Sequence, residues 1–217
     1  MDWGLLWGEI QRLSIQHMIL VAVGGGMAIV VGVPAGILIS RPAFGRFAQT
    51  VVGIASVGQT VPSLAVVGIM MPLLGVGFKP AVFALFVYAL LPVVLNTYAG
   101  IRNIDPSIIE AGRGMGMTGA QILFKVELPL AFSVIMAGIR TAMVICVGTA
   151  TFAHLIGGGG LGDLIFLGIA LLDMTTLLAG AISAAILAVL VDFLFGRIVR
   201  ACTPRGIAPA SSPEAAK

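Results

Sequence analysis

The chain has 217 residues, of which 59% are hydrophobic and 10% charged, against about 45–50% and about 25% in ordinary globular domains. Its formal net charge is +3 and its mean hydropathy +1.12. Nine acids and twelve bases cannot cover a soluble domain of this size. The apolar residues also run in long blocks rather than alternating, which points to helical membrane spans. Disorder, nucleic-acid binding and a disulfide-stapled secreted fold are poor fits, since Cys146 lies inside an apolar block and Cys202 beyond the last one. The reading is an all-α integral membrane protein set in a lipid bilayer.

Five stretches are long enough to cross about 30 Å of hydrocarbon. They run from about Met18 to Ile39, Val51 to Leu74 with Pro62 inside, Pro80 to Ile101 with Pro92 and Asn96, Val134 to Ile156, and Thr175 to Ile198. This divides the chain into an N-terminal segment 1–17, a membrane domain 18–198 and a tail 199–217. The first segment has no basic n-region and no cleavage site, so no removable signal peptide is read. The tail from Thr203, rich in Pro, Ala and Ser, is expected to be disordered.

Lysine and arginine set the expected orientation. One side of a five-span chain carries Arg41, Arg46, Arg102, Arg113, Lys125, Arg197, Arg200, Arg205 and Lys217, nine bases, while the other carries Arg12 and Lys79, with Arg140 inside span four. The expected topology is N-terminus outside and C-terminus cytoplasmic, with Trp3 and Trp7 suited to an outer interfacial anchor.

The cytoplasmic stretch of about 103–133 is unusually patterned for a loop. Asp105 can cap a helix with Pro106 at its first position, running through Glu110 and Ala111 to about Met115. Gly116 permits a turn that a β-carbon would resist. Thr118 and Gln121 form a capping box for a second helix, with Ile122, Leu123 and Val126 on one side. That helix is expected to end near Leu128, because Pro129 disfavours helix at the residue before it. A solvated connector is the plainer alternative, but it gains nothing from two capped helices and an apolar stripe.

Glu110-Ala111-Gly112, three residues, Gly116, nine residues, Val126-Glu127-Leu128-Pro129 resembles the EAA loop of permease subunits in bacterial binding-protein-dependent ABC importers. The family pattern is Glu-Ala-Ala, three residues, Gly, nine residues, Ile, any residue, Leu-Pro. Gly112 stands where alanine is usual and Val126 where isoleucine is usual. The resemblance implies a type I importer permease fold of about five transmembrane helices in the bacterial inner membrane, with this hairpin docked into a groove of a separate ABC ATPase subunit. It also implies an extracytoplasmic substrate-binding protein and a second permease, either another copy or a homologue. Gln59 to Ala65, Gly75 to Phe78, Glu110 to Gly119, Gly138 to Thr141 and Gly157 to Asp163 resemble the branch that imports glycine betaine, choline, carnitine and related osmoprotectants. Methionine-type permeases share the layout and are the nearest alternative; an ATP-independent secondary transporter would usually be longer and internally repeated.

Pro62 frees a backbone carbonyl at membrane depth, and Gln59, Thr60 and Ser63 surround it. Either these residues and Asn96 line a translocation path, or they patch kinks. His154, just before the glycines of 157–160, reads as a hydrogen-bonded helix-end residue rather than a site. Lys79, Lys125 and Lys217 are not followed by Ser or Thr, so the chain carries no Walker A motif and is not read as an enzyme. No metal, cofactor or nucleic-acid partner is expected. Gly24, Ala28, Gly32 and Gly36, and again Gly180, Ala184 and Ala188, form small-residue stripes that allow close helix packing.

Overall fold

A computed structural model describes residues 3–202, so the tail expected to be disordered lies outside the described residues. Nine α-helices and no strand occur among them. They are α1 (Trp3–Ser40), α2 (Gly45–Thr60), α3 (Ser63–Leu74), α4 (Phe78–Arg102), α5 (Pro106–Gly114), α6 (Gly119–Ile122), α7 (Leu128–Ala150), α8 (Gly162–Leu171) and α9 (Met174–Cys202). Each expected span falls on α1, the α2–α3 pair, α4, α7 or α9. Residues 3–17, read as a separate N-terminal segment, are the first turns of α1 itself.

The small-residue stripe of α1 meets α4. A β-carbon at Gly24 would come within 2.6 Å of Leu85 Cβ, at Gly32 within 2.8 Å of a Val93 methyl, and at Gly36 within 2.6 Å of Thr97 Cβ. Such spacings leave room only for glycine, so the two backbones touch. Residue numbers rise together along this seam, so α1 and α4 run parallel. The intervening chain must therefore return from one end of the bundle to the other. The α2–α3 pair, bent by 97°, makes that return as one broken span.

Helix α7 runs antiparallel to α4. Gly100 faces Ala131 and Val134, while Gly138 has its β-carbon position 2.5 Å from both Pro92 O and Asn96 Cβ. The core between these helices holds Leu85, Ala89, Val93, Ile139, Ala142 and Val147. Helix α9 passes the cluster of Leu13, Leu161 and Leu164 at Ala184 and Leu187 and Arg140 at Asp192 and Gly196, so it runs back again. Five passages bring the chain in and out at opposite ends.

One end is locked by a residue that the sequence reading overlooked. His17, fully buried, places Nε2 2.9 Å from Val147 O and accepts the Leu161 N–H at Nδ1 across 3.3 Å. The two partners fit one neutral tautomer, with the proton on Nε2. The loop after α7 winds closely here: Gly157, Gly159 and Gly160 have φ of +69°, +76° and +94°, and Gly162 leaves no space beside Thr151 O. His154 behaves as expected of a helix-end residue, with Nδ1 2.7 Å from Asp163 Oδ1 and its ring stacked on Phe166.

Candidate functional site

The α5–α6 hairpin forms as its caps dictate. Asp105 accepts the Ser107 N–H at 2.9 Å with Pro106 at the first helical position. That bond holds the Asp105 carboxyl below its usual range. Above the ordinary carboxylate range the cap is intact, and it is lost only as pH falls through the lowered value. Thr118 Oγ1 accepts the Gln121 N–H at 3.3 Å, and Gln121 Oε1 accepts the Thr118 N–H at 2.8 Å, completing the capping box. Gly116, between the helices, has φ +78°, a left-handed conformation that an L side chain resists.

The two helices close on each other through few residues. Gly112 and Ile122 are buried between them, and Leu123 and Val126 are half-buried. A β-carbon at Gly112 would sit 3.4 Å from Met117 Sδ and 3.6 Å from Ile122 Cγ1. These are ordinary contacts, so the alanine usual at this position would fit. Glu110, Ala111, Met115, Gly116 and Phe124 are exposed, Met115 to 76% and Phe124 to 67%. These exposed apolar residues, Met115 at the tip and Phe124 in the π turn that follows α6, were missed by a reading that followed the buried stripe.

The expected stop at Leu128 does not occur. The chain passes from α6 through a π-helical turn, Leu123–Glu127, straight into α7, with Leu128 N–H bonded back to Leu123 O. Pro129 lies in the first turn of α7. The widened turn makes room for its ring, which would otherwise press on the carbonyl four residues back. Leu128 keeps helical dihedrals, φ −63° and ψ −43°, against the usual bias before proline. The hairpin's second arm is thus continuous with span four.

The second candidate region departs from expectation in the other sense: Pro62 ends a helix instead of kinking one. Tyr88 joins the pieces. Its hydroxyl donates to Val61 O at the break, and its own carbonyl accepts from Gln59 Nε2 at 2.8 Å. That carbonyl is the one Pro92, lacking an N–H, leaves without its helical donor. Asn96 Nδ2 donates to Pro92 O at 2.8 Å, and Thr60 Oγ1 to Val57 O at 2.8 Å. Ser63 starts α3 and is half-buried. Gln59, Thr60 and Asn96 thus each donate to a backbone carbonyl, and only the Gln59 bond replaces a missing helical donor.

Two ion pairs complete the picture. Arg140 and Asp192, one in the middle of α7 and one in α9, form a bidentate pair, each side chain just over 40% exposed, beside Thr141, Ile145 and Val199 on a cavity of about 410 Å³. Arg41, just past α1, forks onto Glu127 in the π turn, with Nη1 3.0 Å from Oε1. Neither pair is visible as a motif, because the partners stand 52 and 86 residues apart. For Arg140 and Asp192 the signal available was a lone base and a lone acid inside spans; Arg41 and Glu127 lie outside the spans and offered none.

A bundle of five helical passages carrying a doubly capped hairpin on one arm is the architecture of a multi-pass membrane permease. The comparisons with known proteins agree. The family described as "Binding-protein-dependent transport system inner membrane component" matches residues 32–205, and the chain belongs to it. The chain is 47% identical to the carnitine transport permease protein OpuCB of Listeria monocytogenes, over 88% of this chain and 87% of that protein. It is 43% identical to the choline transport system permease protein OpuBB of Bacillus subtilis, over 92% and 91%. Among solved structures, a chain of the MetNI methionine ABC transporter in an inward-facing conformation superposes with a TM-score of 0.81 at 27% identity, covering 94% of this chain and all of that one. The fold is that of type I ABC importer permeases, and the chain is a transport subunit of the inner membrane.

Proposed function

We propose that this chain is the permease subunit of an ABC importer for quaternary-ammonium osmoprotectants such as choline, carnitine and glycine betaine. The observation that carries the reading is the hairpin: an α5–α6 unit pinned by two caps and a left-handed glycine, exposing Met115 at its tip, and continuous with a membrane-spanning helix. A separate ATPase that grips this tip moves α7 directly. The nine bases on the hairpin's side of the membrane put that side in the cytoplasm, leaving the N-terminus and the glycine-rich loop outside for a substrate-binding protein. A second permease, identical or homologous, would close the path.

The substrate class rests on the carnitine and choline permeases, to which identity is higher than to the methionine permease. Methionine import is the less favoured reading, and a secondary transporter does not belong to this family. A cation that cannot donate hydrogen bonds suits an aromatic cage on the binding protein. For the path we retain Ser63 and the broken span around Pro62, with Gln59, Thr60 and Asn96 shaping it through their backbone bonds.

Uptake of labelled choline, challenged with excess betaine, carnitine or methionine, tests the substrate; competition by methionine alone contradicts it. Reporter fusions at Arg46, Gly116 and Arg200 should read cytoplasmic and those at Phe78 and Asp163 external. An external Gly116 contradicts the orientation.

A further inference from the structure

We propose that Arg41 and Glu127 form the pivot through which motion of the hairpin reaches span one as well as span four. The proposal rests on the coupling role given to the hairpin above and adds residues that the loop pattern does not specify, since Glu127 occupies the position it leaves open.

Two independent observations meet at Glu127. The first is the ion pair. Glu127 is only 6% exposed, and both its oxygens face the guanidinium of Arg41. Arg41 directly follows Ser40, the last residue of α1. A planar fork on a carboxylate fixes direction as well as distance, so the end of α1 is tied to one point on the hairpin arm. A buried carboxylate without its partner is costly, which keeps this tie closed while neighbouring parts move.

The second observation is the π turn. Glu127 is its last residue, at the place where the hairpin arm becomes α7. Regular α-helix would carry a push rigidly into span four; a π turn is a local irregularity of the ladder where the axis can change direction. The fixed tie therefore sits on the compliant joint.

The space around the joint suits a pivot. A cavity of about 230 Å³ separates the first hairpin helix from the ends of α1 and α4, with Arg102, Pro106, Glu110 and Arg113 on its wall beside Arg41 and Glu127. The first helix has room to swing, while the base of the second is held. A displaced tip then turns α7 about the π turn and draws the end of α1 with it. Because α1 and α4 are in glycine contact along their length, α4 follows. Arg41 and Glu127 are positioning residues in this scheme and need touch neither cargo nor ATPase.

The test uses the full complex of permease, ATPase and binding protein in proteoliposomes, with Arg41→Gln, Glu127→Gln and the double variant, and Gly116→Asp in parallel. The expected result is that each single variant lowers uptake per ATP hydrolysed about tenfold, at unchanged ATPase copurification, and that the double variant loses no more than either single. Arg41→Lys, which keeps the charge without the fork, should recover part of the loss. Where a variant lowers membrane abundance, uptake per ATP is taken on the complex that remains. Parental uptake per ATP in that complex, or losses that multiply in the double variant, overturns the pivot. If Gly116→Asp also transports at the parental rate, the coupling role of the hairpin fails with it. If Gly116→Asp loses uptake and the Arg41 and Glu127 variants do not, only the pivot fails.

Discussion

Pro62 and Pro129 bring the same chemistry, a fixed φ and a missing N–H, and the molecule answers them in opposite ways. At Pro62 the helix ends, the next one leaves at 97°, and Tyr88 from α4 caps the exposed carbonyl of Val61. At Pro129 the helix runs on, because a π turn just before it shifts the ladder and widens the turn. Whether a proline breaks a helix thus depends on what lies beside the freed backbone. A neighbouring hydroxyl stabilises a break; a π turn in the same helix absorbs the ring. The first device makes an irregular site in the middle of the bundle, and the second keeps the hairpin's second arm joined to a span without a break in the helix.

The contrast can be broken directly. Pro62→Ala restores a donor for Gly58 O and favours joining α2 to α3, so uptake should fall at least tenfold, with the chain still in the membrane. Pro129→Ala leaves a helix that is already continuous and should change uptake no more than about threefold. Equal effects would mean that the two prolines do the same work.

The caps at the break come next in size. Tyr88→Phe orphans Val61 O, and Gln59→Leu orphans Tyr88 O. Each removes one part-buried hydrogen bond and should lower the unfolding free energy by about 0.5–1.5 kcal/mol, read as a lower Tm in detergent. Ser63→Leu should cut uptake without that loss of Tm if Ser63 lines the path. If all three lower Tm alike and none changes uptake in the folded fraction, the region is packing alone.

The smallest effect has the opposite sign. Gly112→Ala places a β-carbon at contact distance and improves helix propensity by up to about 1 kcal/mol. A small rise in Tm with uptake kept would show that the hairpin interior tolerates the residue its family prefers; a clear loss would mean that the first helix must sit closer to Ile122 than it does here.

Local signals made much of this legible in advance. Long apolar blocks located all five passages, because span length is set by the bilayer. Asp105, Pro106, Gly116, Thr118 and Gln121 were readable because caps and left-handed turns depend on a few adjacent residues. The rest depended on partners far along the chain. Pro62 could be recognised as a disturbance, but the size of the bend depends on Tyr88. Pro129 looked like a stop because the rule for the preceding residue is local, while the π turn that defeats it depends on the whole arm. Arg140 with Asp192, Arg41 with Glu127, and His17 with Val147 and Leu161 are tertiary pairings that no spacing rule reports.

The central claim is that the hairpin converts ATP hydrolysis by a partner into movement of cargo through this chain. Gly116, at φ +78°, is where it can be tested most directly. Aspartate there adds about 1–2 kcal/mol of backbone strain and sets an uncompensated charge on the tip, while the spans are untouched. The measurement is labelled-choline uptake and ATP hydrolysis in the same proteoliposomes, with permease, ATPase and binding protein present, for the parent and Gly116→Asp at matched permease content. The account predicts normal membrane abundance and uptake per ATP reduced at least tenfold, with Gly116→Ala in between. Uptake per ATP at the parental level in Gly116→Asp would contradict it.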